Sequence, residues 1–299
     1  MTSGVGPQYP VGVRIGHEYA GEVVEVGSEV LGFSVGDRVA AMATRGCGRC
    51  RECTGGLPFW CAQSASQRGG FAEFALVQPH AAIKMPGGMS LADGAMIEPL
   101  AVGLHGVRQA GMTPGDAVLV IGAGPVGLGA AFFAAQLGAS RVAVLARTRK
   151  NEPEATVVGA DTFISLDEDV PTRIIESLGG PPDIVFECSG APNTIEESLT
   201  YVRPRGTVVV LGFCGVPDVL QPGTGLFKGA RIQFSMVYSR RDFEVVADKI
   251  DRGALRATEL VSETIALAAL PVRFKEMQEA PGPCKVLVDP WRSQASPSA

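Results

Sequence analysis

Four cysteines in the segment GCGRCRECTGGLPFWC, namely Cys47, Cys50, Cys53 and Cys61, follow the spacing C-x2-C-x2-C-x7-C. Thiolates bind Zn²⁺ tetrahedrally, and spacers this short let one loop wrap around a single ion. The chain has seven cysteines and shows no secretory signal at its start, so a reducing compartment is expected, and there a cluster of four reads as a metal site rather than as disulfides. An iron–sulfur cluster is the competing reading, because the first three cysteines share the C-x2-C-x2-C start of bacterial ferredoxins. Those continue after three residues with Cys-Pro, whereas here seven residues intervene and Ala62 follows Cys61. Structural zinc is the expectation, with a chance cluster of free thiols as the bland alternative. Cys188, Cys214 and Cys284 lie in or beside apolar strands and are expected to be inert.

A second pattern, Gly122, Gly124 and Gly127 with Pro125 and Val126 in the x-x positions, spells G-x-G-x-x-G between an apolar strand at 118–121 and an apolar helix. In that context the motif binds a dinucleotide. Gly122 permits the turn, Gly124 the approach of a pyrophosphate and Gly127 close helix-on-strand contact, with phosphate charge at the positive helix N-terminus. A glycine-rich turn that only packs is the alternative. An NAD-specific site places a carboxylate about 20 residues further on. Ala146 stands there instead, followed by Arg147, Thr148, Arg149 and Lys150. Without the carboxylate a 2′-phosphate is not repelled, and a guanidinium of Arg147 or Arg149 can bind it through parallel hydrogen bonds, so NADP is favoured over NAD. A solvated basic turn would look the same.

These residues need elements to hold them. With 299 residues, 46% apolar and 19% charged, the chain is expected to form two domains or one large α/β domain with a sizeable core. The net charge of −5 and the lack of Lys/Arg runs argue against nucleic acid or a membrane surface as partners. Residues 21–39 alternate short β-branched runs with Gly and Asp, as an antiparallel meander does. Beyond Pro99 the pattern becomes strand, turn and helix repeated, with strands at 118–121, 142–145, 162–165, 184–187, 207–211 and 232–237, which argues for a doubly wound parallel sheet. A helix at 243–255, another near 271–278 and a strand at 285–288 precede a polar tail, WRSQASPSA, expected to be disordered. Residues 117–139 carry no charge and are long enough for a membrane span. The glycines and proline in their middle mark a buried strand, a turn and a helix instead.

In order along the chain, GHEYAGEVVEVG, FSVGDRV, GCGRCRECTGGLPFWC, GGFAEF, IEPLAVGLHGV and VLVIGAGPVGL resemble the zinc-dependent medium-chain alcohol dehydrogenases, and most closely their polyol and threonine dehydrogenase branch. The resemblance implies a β-rich GroES-like catalytic domain from residues 1–100 and 240–299, incomplete at the N-terminus and carrying a structural-zinc lobe at about 45–62. A Rossmann domain is implied at 101–239. It further implies catalytic-zinc roles for His17, Glu18 and Glu98, and a cofactor-binding set to which Ser189 and Gly212 are added. Taken without the family, His17 is an ordinary hydrogen-bonded histidine and Glu98 a helix-start carboxylate; His80 and His105 are read as structural. The implied activity is oxidation of a small secondary alcohol, polyol or hydroxy amino acid to its ketone, with zinc as Lewis acid and NAD(P) as hydride acceptor.

The family's first zinc ligand, a cysteine about two dozen residues before Gly-His-Glu with a Ser or Thr after it, has no counterpart in the sixteen residues before His17. Weak or no alcohol oxidation is therefore expected of the chain as given, although it binds cofactor. The alternative reading is an NAD(P)-binding protein with structural zinc and impaired or absent dehydrogenase activity. A cytoplasmic homodimer or homotetramer is the expected form.

Overall fold

The computed structural model describes residues 12–279 and 282–293. The expected disordered tail lies outside the described residues from Gln294 on. Two compact units make up the chain: Gly12–Glu98 with the stretch from Ser239 onward, and Pro99–Tyr238.

The first unit opens with β1 (Tyr19–Glu22) and β2 (Arg38–Ala41), paired antiparallel with Tyr19 opposite Ala41. The expected meander is thus two short strands joined by an irregular segment. Its return is made by a turn at Gly36, where Asp37 accepts the Ser34 N–H at 2.7 Å and its carbonyl accepts from Val23. Then come β3 (Thr44–Arg45), the single helical turn α1 (Arg51–Thr54), β4 (Ala65–Ser66) beside β3, and β5 (Ala82–Lys84), which joins β2 to complete a three-stranded sheet. The buried Gln67 amide ties these loops, donating to the carbonyls of Met42 and Ala81 at 3.0 Å each. Helix α2 (Leu91–Ala110) starts in this unit and runs into the second, with Pro99 in its interior.

The second unit alternates strand and helix. Its elements are β6 (Ala117–Ile121), α3 (Pro125–Gln136), β7 (Arg141–Ala146), α4 (Glu152–Val157), β8 (Thr162–Ser165), α5 (Val170–Leu178), β9 (Ile184–Glu187), α6 (Thr194–Tyr201), β10 (Thr207–Val210), α7 (Pro222–Lys228) and β11 (Arg231–Phe234). All six strands are parallel, in the order β11-β10-β9-β6-β7-β8. Runs such as Val118–Val120 and Val142–Val144 are wholly buried, as strands covered on both faces must be. The chain runs outward from β6 to β8 and returns to β9 on the other side of β6. The switch point, where open α/β sheets bind ligands, therefore lies between β6 and β9. The uncharged segment 117–139 becomes β6, a tight turn and α3; no helix among the described residues is long and apolar enough to cross a membrane. The last strand ends at Phe234, short of the expected 237, and Val237, a β-branched residue at φ +58°, departs from extended backbone beyond it.

The chain then adds to the first unit helix α8 (Arg240–Asp251), β12 (Glu263–Ala266), α9 (Leu270–Glu279) and β13 (Val286–Asp289), which pairs with β12 in parallel. Helix α8 begins three residues before its apolar pattern because Ser239 and Asp242 form a reciprocal capping box.

Candidate active site

Cys47, Cys50, Cys53 and Cys61 converge around α1, with all four sulfurs within 4.8 Å of one another. Sulfurs about 2.3 Å from one tetrahedral ion stand roughly 3.8 Å apart, so small side-chain adjustments close the site. The backbone is arranged for thiolates. Cys61 Sγ accepts N–H groups of Cys47 at 3.5 Å and Gln63 at 3.3 Å, which lowers its pKa, and N–H groups of Arg49 and Cys50 draw Cys47 down to about 6. Cys53 goes the other way, to about 12, because desolvation opposes its charge; coordination to a cation removes that proton outright. Gly46 is part of the device, since a Cβ there would lie 2.4 Å from Cys53 Sγ. Its carbonyl accepts the His80 Nε2–H at 2.9 Å, a structural setting for that histidine.

His17, Glu18 and Glu98 form the other convergence of metal-ligating side chains among the described residues, again within 4.8 Å. Neighbours in a regular strand point to opposite faces, so His17 and Glu18 reach one point only because both precede β1. The kink is made by Gly16 at φ +83°, whose carbonyl accepts the N–H groups of Gly69 and Gly70. A Cβ on Gly16 would meet Phe71 N at 2.9 Å, so this turn requires glycine. Glu98 is not at a helix start: it sits inside α2, 5% exposed, with Oε1 4.0 Å from His17 Nε2. Gly94 lets α2 approach, because a Cβ there would fall 2.7 Å from the Ala20 Cβ of β1. The His17 ring is half exposed, yet desolvation lowers its pKa, Glu18 opposing and Lys285 and Arg68 adding to the effect. Lys285, just before β13, makes a close ion pair with Glu18. Sequence reasoning missed Lys285, and no local pattern marks it.

In the second unit the glycine-rich turn follows β6. Gly122 has φ +109°, and a Cβ there would lie 2.9 Å from Ser189 N. One on Gly127 would lie 1.9 Å from the Gly122 carbonyl oxygen, and one on Gly124 would meet nothing within 4 Å. Pro125 and Val126 start α3, and Asn151 Nδ2 holds the turn from outside by donating to the Ala123 carbonyl at 3.0 Å. Ser189 and Gly212 stand beyond the carboxyl ends of β9 and β10. Ala146 ends β7, half-buried, and the basic residues after it differ from one another. Arg149 pairs with Glu152 at 2.8 Å and Glu168 at 2.7 Å, whereas exposed Arg147 has no ion pair among the described residues. Cys188 is partly buried, and desolvation pushes its thiol well up, in line with an inert residue.

Comparison with known proteins supplies the context for these groups. Residues 1–87 match the family described as alcohol dehydrogenase GroES-like domain, and residues 125–252 match zinc-binding dehydrogenase. The chain is 31% identical over 280 residues to a protein of Aspergillus fumigatus named probable D-xylulose reductase A, covering 90% of this chain and 78% of that one. It is 32% identical over 241 residues to the L-threonine 3-dehydrogenase of Pectobacterium atrosepticum, covering 79% and 66%. Among solved structures, a zinc-binding dehydrogenase of Sinorhizobium meliloti bound to NADP superposes with a TM-score of 0.82 at 32% identity, over 92% of this chain and 83% of that one.

Proposed function

Because the chain belongs to the zinc-dependent medium-chain alcohol dehydrogenases, and is an NAD(P)-dependent oxidoreductase of alcohols and polyols, we propose that His17, Glu18 and Glu98 hold its catalytic zinc. Cys47, Cys50, Cys53 and Cys61 hold a second, structural zinc. The observation that carries the first assignment is the convergence of one imidazole and two carboxylates on one point from a glycine turn and a buried helix position. One nitrogen and two oxygen donors suit zinc with an open fourth position. Zinc held by these residues would supply Lewis acidity to an alcohol oxygen, and a nicotinamide cofactor held by the glycine-rich turn would supply the hydride acceptor.

The protein groups prepare that chemistry. The lowered pKa keeps the His17 imidazole neutral, its ligand form, at neutral pH. Lys285 offsets one of the two carboxylate charges, which leaves the trio net negative and attractive to a divalent cation. The substrate is a small secondary alcohol, polyol or hydroxy amino acid, as the names of the relatives suggest.

For the cofactor, the open space at Gly124 fits the close approach of a pyrophosphate to the start of α3. The absence of a carboxylate at Ala146 favours NADP(H), read by Arg147. The protein works in the cytoplasm as a homodimer or homotetramer. Supporting the assembly, β11 is an edge strand, Phe234 and Met236 are exposed on and after it, and Phe227 of α7 is 93% exposed. A doubly substituted Phe227→Lys, Phe234→Lys chain should be monomeric by light scattering.

The test of the whole reading is metal content with turnover. About two zinc ions per chain and weak NADP-dependent oxidation within a panel of polyols and secondary alcohols are expected, the family's first cysteine ligand having no counterpart before His17; about one zinc and no turnover would instead fit the binding-only reading.

A further inference from the structure

Glu187 is the last residue of β9 and only 1% exposed, a carboxylate in the core of the second unit. Its hydrogen-bond partners are N–H and O–H groups of a single loop. Oε1 accepts the backbone N–H of Ser189 at 2.8 Å, the Ser189 hydroxyl at 2.6 Å and the N–H of Gly190 at 2.9 Å, and the Thr194 hydroxyl lies 3.1 Å away. Charge-assisted bonds of this kind are the strong ones. They curl residues 189–194 back over the end of their own strand, with Gly190 at φ +62° and Asn193 at φ +70°.

The place of that loop gives the carboxylate its consequence. Glu187 stands opposite Ile121, the residue before Gly122, and opposite Val210 of β10. Three segments therefore meet around it with no spare room. A Cβ on Gly122 would touch Ser189 N at 2.9 Å, one on Gly212 would lie 2.2 Å from Gly190 N and 2.5 Å from Glu187 Oε2, and one on Gly190 would lie 2.6 Å from the Phe213 carbonyl oxygen. If the loop shifted, the wall of the glycine-rich turn would shift with it. The Ser189 hydroxyl is already engaged, donating to Glu187 and accepting the Ala191 N–H at 3.2 Å, so this side chain acts within the loop.

We propose that Glu187 is a positioning residue for the dinucleotide: its carboxylate gathers Ser189, Gly190 and Thr194 into the loop that sets the shape of the pocket beside Gly122. The inference rests on the dinucleotide site assigned above. A carboxylate that only stabilised the fold would lower the melting temperature and leave cofactor affinity in the folded protein unchanged. A positioning carboxylate raises the dissociation constant of the folded protein.

The experiment measures NADPH and NADH dissociation constants by fluorescence titration of the full chain, with melting temperatures by circular dichroism alongside. Glu187→Ala should weaken both cofactors by about thirtyfold and Glu187→Gln, which keeps one acceptor oxygen, by about fivefold; at saturating cofactor the KM for alcohol should not move. Ser189→Ala should weaken binding in the native background and add little to Glu187→Ala, as expected of residues acting through one contact. Gly124→Val is the reference, because a Cβ at this position meets nothing within 4 Å. If Gly124→Val abolishes binding while folded Glu187→Gln and Glu187→Ala bind normally, the role of Glu187 is overturned and the site stands. If Gly124→Val also binds normally, the site itself is misassigned and this proposal falls with it. Should Glu187→Ala not fold, unchanged affinity in Glu187→Gln is enough to overturn the role.

Discussion

The four thiols around α1 come from one fifteen-residue stretch, whereas His17 and Glu98 are far apart in sequence and are brought together by the packing of α2 against β1. The first centre closes a short loop at little entropic cost, and its spacing alone makes metal binding the expectation. The second exists only once β1 and α2 are packed, with Gly16 and Gly94 allowing the approach. Local geometry should make the thiol centre robust to changes elsewhere and fragile to any change within it. The trio should respond to every element that supports it.

Glu98→Ala should give the largest effect. Removing a buried carboxylate from the trio should lower kcat/KM more than about 100-fold, the upper end of what supporting groups of metal sites usually cost, and remove one of two zinc ions. The thiol-bound ion should remain, because no residue is shared between the centres. Loss of both ions from this variant would show that the centres are coupled, and full turnover would remove Glu98 from the reaction.

Within the thiol centre, Cys53→Ser should lose about one zinc per chain and destabilise the surrounding loops. A sharper probe is Gly46→Ala, which touches no ligand atom chemically. Its Cβ would fall 2.4 Å from Cys53 Sγ, so Cys53 must move and zinc affinity should drop by about tenfold or more. Metal content after dialysis against a chelator measures both. Retention of full zinc by Cys53→Ser would dissolve the contrast between the centres.

Legibility in the sequence followed the same division. The alternation of strand and helix beyond Pro99, the thiol spacing and the G-x-G-x-x-G turn are local, and each could be read from residues a few positions apart. His17 and Glu98 stood out only through resemblance to a family, since neither has a neighbour in sequence that marks it. Glu98 even looked like a helix-start carboxylate because Pro99 follows it, although α2 carries the proline in its interior. Lys285 and Glu187 were not visible at all. One acts through a contact with Glu18 from the opposite end of the chain, and the other through a loop whose fold depends on it. Gly46 could have been suspected from the G-C-G pattern, but what it makes room for is a sulfur seven residues later.

The basic turn after β7 gives the smallest effect and the same lesson in miniature. From sequence Arg147 and Arg149 are equivalent candidates for a 2′-phosphate. Glu152 could have been seen as a local partner of Arg149, but Glu168 could not, because β8 has to be placed beside β7 before its loop reaches the guanidinium. With both sides of the Arg149 fork engaged, and Glu168 further bonded to Arg173 at 2.9 Å and to the Ser165 N–H, that cluster is closed on itself. An incoming phosphate would have to displace two carboxylates to use it, whereas Arg147 is exposed and can turn to the ligand at no such cost. Arg147→Ala should therefore weaken NADPH by about tenfold, near 1.4 kcal/mol, and leave NADH almost unchanged. Arg149→Ala should change neither cofactor by more than about twofold and lower the melting temperature only slightly, because exposed ion pairs contribute little to stability. Equal losses in the two variants would mean that the Arg149 cluster opens on binding. An NADH preference of tenfold or more in the native chain would reduce the whole turn to a solvated surface.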